Sequence, residues 1–267
     1  MATAAADRSD RDVSVGRVFA RAFGTIGSNP VATLGIAFLF GAMPSLLVAY
    51  AARNMGPQAY MTFGPAAAIG IGAFSGLVAI LLAMITQGAL VRATVAFSEG
   101  RKSSLGESAM AGLRVALPLF LFGLLSAVGI ALGFLLLVVP GVILYLVWSV
   151  AAPALVEERL GPIEALGRSR RLTKGARWTV FGLTLIILVA YSMFSALVVA
   201  LSVMWYGDAI AIAANDVQGM QLSILLINGI SGTLTSAVWG VIQTSLYVEL
   251  RNWKEGPQAE TLAEIFG

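Results

Sequence analysis

The sequence predicts an all-α fold, a polytopic transmembrane helical bundle of about six spans with three interfacial amphipathic helices. Three observations carry that reading. The first is composition: of 267 residues, 58% are hydrophobic and 12% are charged, whereas a soluble domain carries roughly 25% charged residues. Mean hydropathy is +0.86, so lipid rather than water must cover much of the surface. The second is the form of the apolar runs, which are long and continuous, unlike the alternating segments of an outer-membrane strand. The third is the placing of charge, which falls in blocks between those runs. The clearest block, residues 151–177, holds Arg159, Arg168, Arg170, Arg171, Lys174 and Arg177 beside Glu157, Glu158 and Glu164.

Taken in order, residues 1–13 form a polar tail with Asp7, Arg8, Asp10, Arg11 and Asp12, and no apolar signal core follows it. Val15, Val18, Phe19, Ala22, Phe23 and Ile26 then recur at helical spacing, with Arg17 and Arg21 opposite. Ser14 suits the N-cap, and Asn29-Pro30 ends the piece, a short basic helix of the interfacial kind. Spans are expected near 31–52, 66–91, 115–134, 140–157, 178–204 and 222–248, most of them close to the ~20 residues that cross a bilayer core. Val139-Pro140-Gly141 marks the start of the fourth, because proline fits a first helical turn. Whether 115–157 is a full hairpin or a re-entrant one stays open at this point. Residues 257–267 form a C-terminal tail.

Six spans place both termini on one side. With them lie Arg8, Arg11, Arg17, Arg21, Arg92, Arg101, Lys102, Arg114, the six cations of the central block, Arg251 and Lys254, leaving Arg53 alone of the 17 basic residues on the other. The positive-inside rule then puts both termini in the cytoplasm of a bacterial inner membrane. One span more or fewer would scatter the charges.

The chain also reads as one membrane domain, 14–256, made of three parallel repeats at about 14–100, 104–160 and 161–256. Their interfacial helices begin at Ser14, Ser104 and Gly161. Ser104 and Glu107 have capping-box spacing, and Pro162, Glu164 and Lys174-Gly175 suit the two ends of the third. The exit Q-G-A-L-V-R-A-T-V-A-F-S-E-G (87–100) aligns without gaps on Q-T-S-L-Y-V-E-L-R-N-W-K-E-G (243–256), matching Gln87 to Gln243 and Phe97 to Trp253.

The run P-G-V-I-L-Y-L-V-W-S-V-A-A-P-A-L-V-E-E-R-L-G-P-I-E-A-L-G-R-S-R-R-L-T-K-G-A-R-W-T-V-F-G-L (140–182) resembles the glycerophosphoryl diester phosphodiesterase membrane-domain family. The closing L-Y-V-E-L-R-N-W-K-E-G (246–256) and the opening S-V-G-R-V-F-A-R-A-F (14–23) are similar to the ends of that family's domain. The resemblance implies a multi-pass helical bundle. It implies no phosphodiesterase activity, because the soluble domain that gives the family its name does not follow the last span, and it carries over no site residues.

Several residue sets are candidates for chemistry. Arg168, Ser169, Arg170, Arg171, Lys174 and Arg177 offer cations and a hydroxyl to an anionic lipid headgroup, although positive-inside bias alone also predicts such a cluster. Glu157, Glu158 and Glu249 close spans and are read as structural ion-pair partners. Gln87, Asn228 and Gln243 lie deepest in the spans and are read as interhelical polar contacts, with Gly70, Gly72, Gly76, Gly229, Gly232 and Gly240 allowing close packing. The tryptophans Trp148, Trp178, Trp205, Trp239 and Trp253 mostly suit an aromatic belt. Asp208, Asn215 and Asp216 supply too few ligands at defined spacing for calcium. With no cysteine and no histidine, disulfides, thiol nucleophiles and cysteine zinc sites are excluded, and the usual general base near neutral pH is missing. No catalytic residue, metal or cofactor is assigned, and no nucleic acid is implied. The expected function is therefore non-enzymatic: a membrane protein in lipid handling or envelope maintenance that binds anionic lipid, self-associates or meets a membrane-protein partner. The alternative is a small transporter or export component, which the lack of buried charge in the spans argues against. A water-filled cavity lined by Gln87, Asn228 or Gln243 would favour that alternative.

Overall fold

The structure, a computed structural model, describes residues 13–212 and 217–256, with side chains throughout except at 51–59, 203 and between 205 and 225. The polar tails and the outer-loop residues Asn215 and Asp216 lie outside the described residues, as do the side chains of Trp205 and Asp208. Everything described is helix or short connection. The helices are α1 (Val15–Ser28), α2 (Pro30–Ile36), α3 (Met43–Ser98), α4 (Leu105–Leu136), α5 (Val138–Val147), α6 (Ala151–Glu158), α7 (Pro162–Thr173), α8 (Arg177–Ile212) and α9 (Val217–Glu255), with a π-helical turn at Ala37–Ala42 joining α2 to α3. Among the described residues five stretches are long and apolar enough to cross a membrane: Pro30–Tyr50, Tyr60–Ser98, Leu105–Leu136, Val138–Glu158 and Arg177–Ser202. The sixth expected span falls in α9, where Asn228, Gln243 and a series of hydroxyl residues interrupt the apolar run.

Local chemistry explains the ends. Ser14 Oγ accepts from the Arg17 amide at 3.4 Å. Asn29 closes α1 and opens α2, where its Oδ1 accepts from the Ala32 amide at 3.3 Å and its Nδ2 donates to the Ser103 carbonyl at 3.0 Å. Ser104 and Glu107 complete their box, the Glu107 amide donating to Ser104 Oγ at 3.1 Å and the Ser104 amide to Glu107 Oε2 at 3.0 Å. The Gly161 amide donates to Glu164 Oε2 at 3.0 Å. Three helices end on a glutamate followed by a left-handed residue: Glu99 before Gly100 (φ 70°), Glu158 before Arg159 (φ 52°) and Glu255 before Gly256 (φ 75°).

The spans run longer than their apolar runs. Instead of the expected loop near 53–65, α3 reverses at Gly64, whose φ of 79° and ψ of 177° suit glycine. Pro65 then occupies a first helical position. A Cβ on Gly41 would touch Ser236 Oγ and lie 3.6 Å from Thr86, which brings the two arms together about Gly64. The second interfacial helix is not separate: α4 is unbroken from Leu105 and carries Pro118 inside it. After the single extended residue Leu137 the chain returns along α4, Gly141 against Gly133 and Trp148 over Gly129. Ala151, Ala152 and Leu155 finally join Leu119 in one buried cluster. Residues 105–158 therefore form an antiparallel helical hairpin whose return arm reaches back to the level of Leu119.

Glycine packing corrects one expectation. Gly229 and Gly240 do meet neighbours, Leu46 and Leu90, and Gly232 approaches Ala42, but Gly70, Gly72 and Gly76 have nothing near them. The tightest crossing joins α3 to α4 at Gly88 and Gly112. The core sits toward one end of the bundle, with Val18, Leu90, Val150, Leu172, Val180, Val241 and Tyr247 in one cluster. That end also gathers the helix termini that carry charge.

Candidate functional site

Two polar systems occupy the bundle, one charged and one neutral. The charged one ties the charged end together. Glu249, 4% exposed, receives Arg17 Nε at 2.7 Å, Arg21 Nη1 at 3.5 Å and the Ser14 amide at 3.3 Å, which clamps α1 to α9. Arg168 Nε reaches both oxygens of Glu158 at 2.8 Å, and its Nη1 reaches Glu255 Oε1 at 2.6 Å. Tyr247, fully buried, donates its hydroxyl to Glu158 Oε1 at 2.9 Å. Hydrogen bonding from Arg168 holds the Glu255 carboxyl below its ordinary range, and the bond to Glu255 raises the Arg168 guanidinium further, beyond any accessible pH.

The headgroup set expected at residues 168–177 is thereby divided. Arg168 faces two carboxylates of its own chain. Ser169 is fully buried, and its hydroxyl donates to the Val147 carbonyl at 2.7 Å and accepts from the Val150 amide at 3.3 Å. Both are correctly read as parts of the sequence cluster but not as headgroup ligands: each is engaged inside the bundle. Arg170, Arg171, Lys174 and Arg177 remain exposed, and none is ion-paired among the described residues. Beside them Trp178 is 85% exposed. Of the expected ion-pair acids, Glu158 and Glu249 are paired as above, while Glu157 makes no salt bridge among the described residues.

The neutral system begins where the fourth apolar segment breaks. Between α5 and α6 the backbone leaves the helix at Trp148–Val150, and unpaired backbone groups are costly away from water. Other helices satisfy them. Ser169 takes Val147 and Val150, and Gln243 Nε2 donates to the Ser149 carbonyl at 2.7 Å. Gln243 Oε1 in turn accepts from Gln87 Nε2 at 2.6 Å. Gln87 and Gln243, matched in the repeat alignment, are thus direct partners across α3 and α9.

Above this amide chain lies a cavity of about 1030 Å³ walled by α3, α4, α6, α8, α9 and the π-helical turn. Gln87, Asn228 and Gln243 all line it, together with Ser45, Ser195, Ser231, Thr235 and Ser236. At about 1.5 Å per residue its floor at Gln87 and Gln243 is roughly 16–18 Å from the charged helix ends, and it extends toward the opposite face as far as Asn228. Among the described residues the lining has no acid and no base. It offers amide and hydroxyl donors and acceptors set among Leu46, Phe122, Phe194 and Trp239. Asn228, read from the sequence as interhelical, makes no side-chain hydrogen bond to a described residue and lines this space. The hydroxyl residues and the π-helical turn at Ala37–Ala42 were not singled out in the sequence. Serines and threonines in apolar helices commonly bond their own backbone, as Ser45 does to Gly41 and Ser231 to Ile227, so nothing local marks those that face a void. Trp148 and Trp239 are not belt residues: Trp148 covers Gly129, and Trp239 lines the cavity. Trp253 packs over Gly175 and carries Lys254 at 4.5 Å.

Among the described residues no group of three or more acidic, histidine or cysteine side chains is placed to hold a metal. In comparisons with known proteins, no family model, no curated protein and no solved structure matches the chain.

Proposed function

We propose that this chain is a non-enzymatic membrane protein that binds an amphiphile with an uncharged, hydroxyl- or amide-bearing head inside the bilayer, and so serves lipid handling or export. The observation that carries the reading is the cavity of about 1030 Å³ lined by Gln87, Asn228 and Gln243, with no charged residue among the described residues of its lining. A large cavity that sets polar groups among apolar walls favours an occupant with both characters, which is how such sites select ligands. The broken segment at Trp148–Val150 beside it supports the same reading, because interrupted spans recur where membrane proteins bind cargo. The lack of charge, which argues against an ion path, fits a neutral head.

The proposal includes the arrangement expected above: six spans, both termini in the cytoplasm of a bacterial inner membrane, and three parallel repeats. Phe97 covering Gly24 and Trp253 covering Gly175 support the repeat, since these aligned aromatics pack on glycines of their own units. The three Glu-then-left-handed helix ends support it too. The family resemblance agrees with this fold.

Native mass spectrometry of the purified chain tests the reading. The parent should carry a neutral adduct that the Asn228→Leu/Thr235→Val variant loses by tenfold or more at unchanged melting temperature. Equal adducts on both would sink it.

A second reading concerns the surface. Arg170, Arg171, Lys174 and Arg177, exposed and without an ion pair among the described residues beside exposed Trp178, support an anionic-lipid contact worth about 1 kcal/mol per cation. Replacing all four with glutamine should lower affinity for phosphatidylglycerol vesicles while leaving the cavity adduct in place. Unchanged vesicle affinity would reduce the cluster to a topology signal.

A further inference from the structure

Trp239 lines three voids at once. Besides the polar cavity it borders an apolar groove of about 340 Å³ and a smaller pocket of about 260 Å³ at the broken segment. The groove runs between α1, α8 and α9, with Phe19, Phe23, Ile187, Val238 and Ile242 on its walls. It shares Tyr191, Phe194, Thr235 and Trp239 with the polar cavity, so the two spaces adjoin across that wall. Polar side chains in the groove occur just at this junction; the rest of its lining is apolar. On the outer side Phe23 is 60% and Leu234 is 40% exposed, so the groove opens sideways toward the bilayer. The helix that borders it, α8, has 6% of its most apolar stretch buried and packs mainly on α5 and α9, which leaves its flank free.

We infer that the ligand enters laterally and lies across the α8–α9 seam, its hydrocarbon chain in the apolar groove and its neutral head in the polar cavity, with Trp239 at the bend. This rests on the reading of the cavity as a ligand site and adds the ligand class, a chain-bearing amphiphile rather than a small polar solute. The polarity of the two adjoining spaces is the argument. A soluble polar molecule would make no use of the apolar groove, and a pure hydrocarbon would leave the Asn228 side-chain amide, which bonds no described residue, without a partner. An indole suits the boundary because its ring is apolar and its N–H is a donor.

Two photoreactive alkyl glucosides, incorporated into phosphatidylcholine nanodiscs with the full chain, separate the possibilities. One carries a diazirine on the head and the other near the chain terminus. Labelled peptides are mapped by mass spectrometry, with unlabelled alkyl glucoside as competitor. The head probe should label cavity peptides containing Gln87 or Asn228. The chain probe should label α1 near Phe19 and Phe23 or α9 near Val238, and the competitor should suppress both. Leu234→Trp, which fills the groove from its exposed rim, should cut groove labelling tenfold or more. Saturable head labelling in the cavity with chain labelling elsewhere, or with labelling of the groove that no competitor reduces, would overturn the inference and leave the cavity reading standing. No saturable labelling of the cavity by the head probe would remove both. The mapping on the parent chain decides the matter even where the variant fails to fold.

Discussion

A methyl group at position 112 would run into the Ile85 carbonyl and crowd the Ala89 amide. Backbone atoms cannot move aside as side chains do, so Gly112→Ala should destabilise the chain by about 1–3 kcal/mol, read as a lowered melting temperature in detergent. Gly72→Ala, in open space on α3, should be neutral or stabilising by up to about 1 kcal/mol. The reverse ordering would contradict the α3–α4 crossing. Arg168 makes a similar contrast with Arg170. Removing Arg168 takes the closest cation from two carboxylates and should cost about 2–3 kcal/mol, less than a fully buried pair because Glu255 is 31% exposed and keeps Arg251 at 3.6 Å while Glu158 keeps the Tyr247 hydroxyl. Arg170→Ala should stay within about 0.5 kcal/mol. The same ion pair sets a pH dependence. The Glu255 carboxyl is held below its ordinary value near 4.5, so its contribution is fully present above that value and is lost as pH falls through the lower, folded-state value. Arg168 stays protonated throughout. Glu255→Gln should therefore destabilise the chain near neutral pH and flatten the acid limb of its unfolding profile; an acid limb identical to the parent's would contradict the assignment.

Among the elements, the break between α5 and α6 shows what was legible in the sequence and what was not. Caps at Ser14, Asn29 and Ser104 could be read directly, because a cap is decided by residues three or four apart. Pro140 suggested the start of a helix, but nothing in V-W-S-V announces a departure from helix at Trp148–Val150. That departure depends on groups far along the chain, Ser169 and Gln243, which satisfy it. Ser169 was misread for a related reason. Successive helical residues point about 100° apart, so Arg168, Ser169 and Arg170 are neighbours in sequence but face a carboxylate pair, a backbone break and the outside. Gln87, Asn228 and Gln243 stood out as polar residues in apolar runs. Their meeting at one cavity is tertiary and had no local sign. Ser169→Ala would orphan the Val150 amide and remove one donor to Val147, and should cost about 1–3 kcal/mol. Hydrogen exchange gives a more specific check, with Val150 and its neighbours losing protection before the rest of α5 and α6. Uniform loss across the bundle would show that the serine does not support the break.

For the molecule as a whole, the lack of native cysteine makes topology directly measurable. If both termini face the cytoplasm, as proposed, Met61→Cys, at an 83% exposed position near the Gly64 reversal, should react with a membrane-impermeant maleimide in intact cells. Lys102→Cys, between α3 and α4, should react after permeabilisation. The opposite pattern would invert the orientation, and reaction of both in intact cells would rule out six spans. Seen at this scale, the small helix α7 joins the two polar systems. Its Arg168 is fastened to α6 and α9, its Ser169 to the broken backbone, and its Arg170 and Arg171 look outward. The break is fastened in turn to Gln243, which forms the cavity floor. A displacement of α7 at the surface cannot leave the cavity floor in place unless one of these bonds opens. The helix acts as a lever with a fulcrum one residue wide, and by thermodynamic reciprocity any occupant that shifts the floor also biases how α7 meets the membrane.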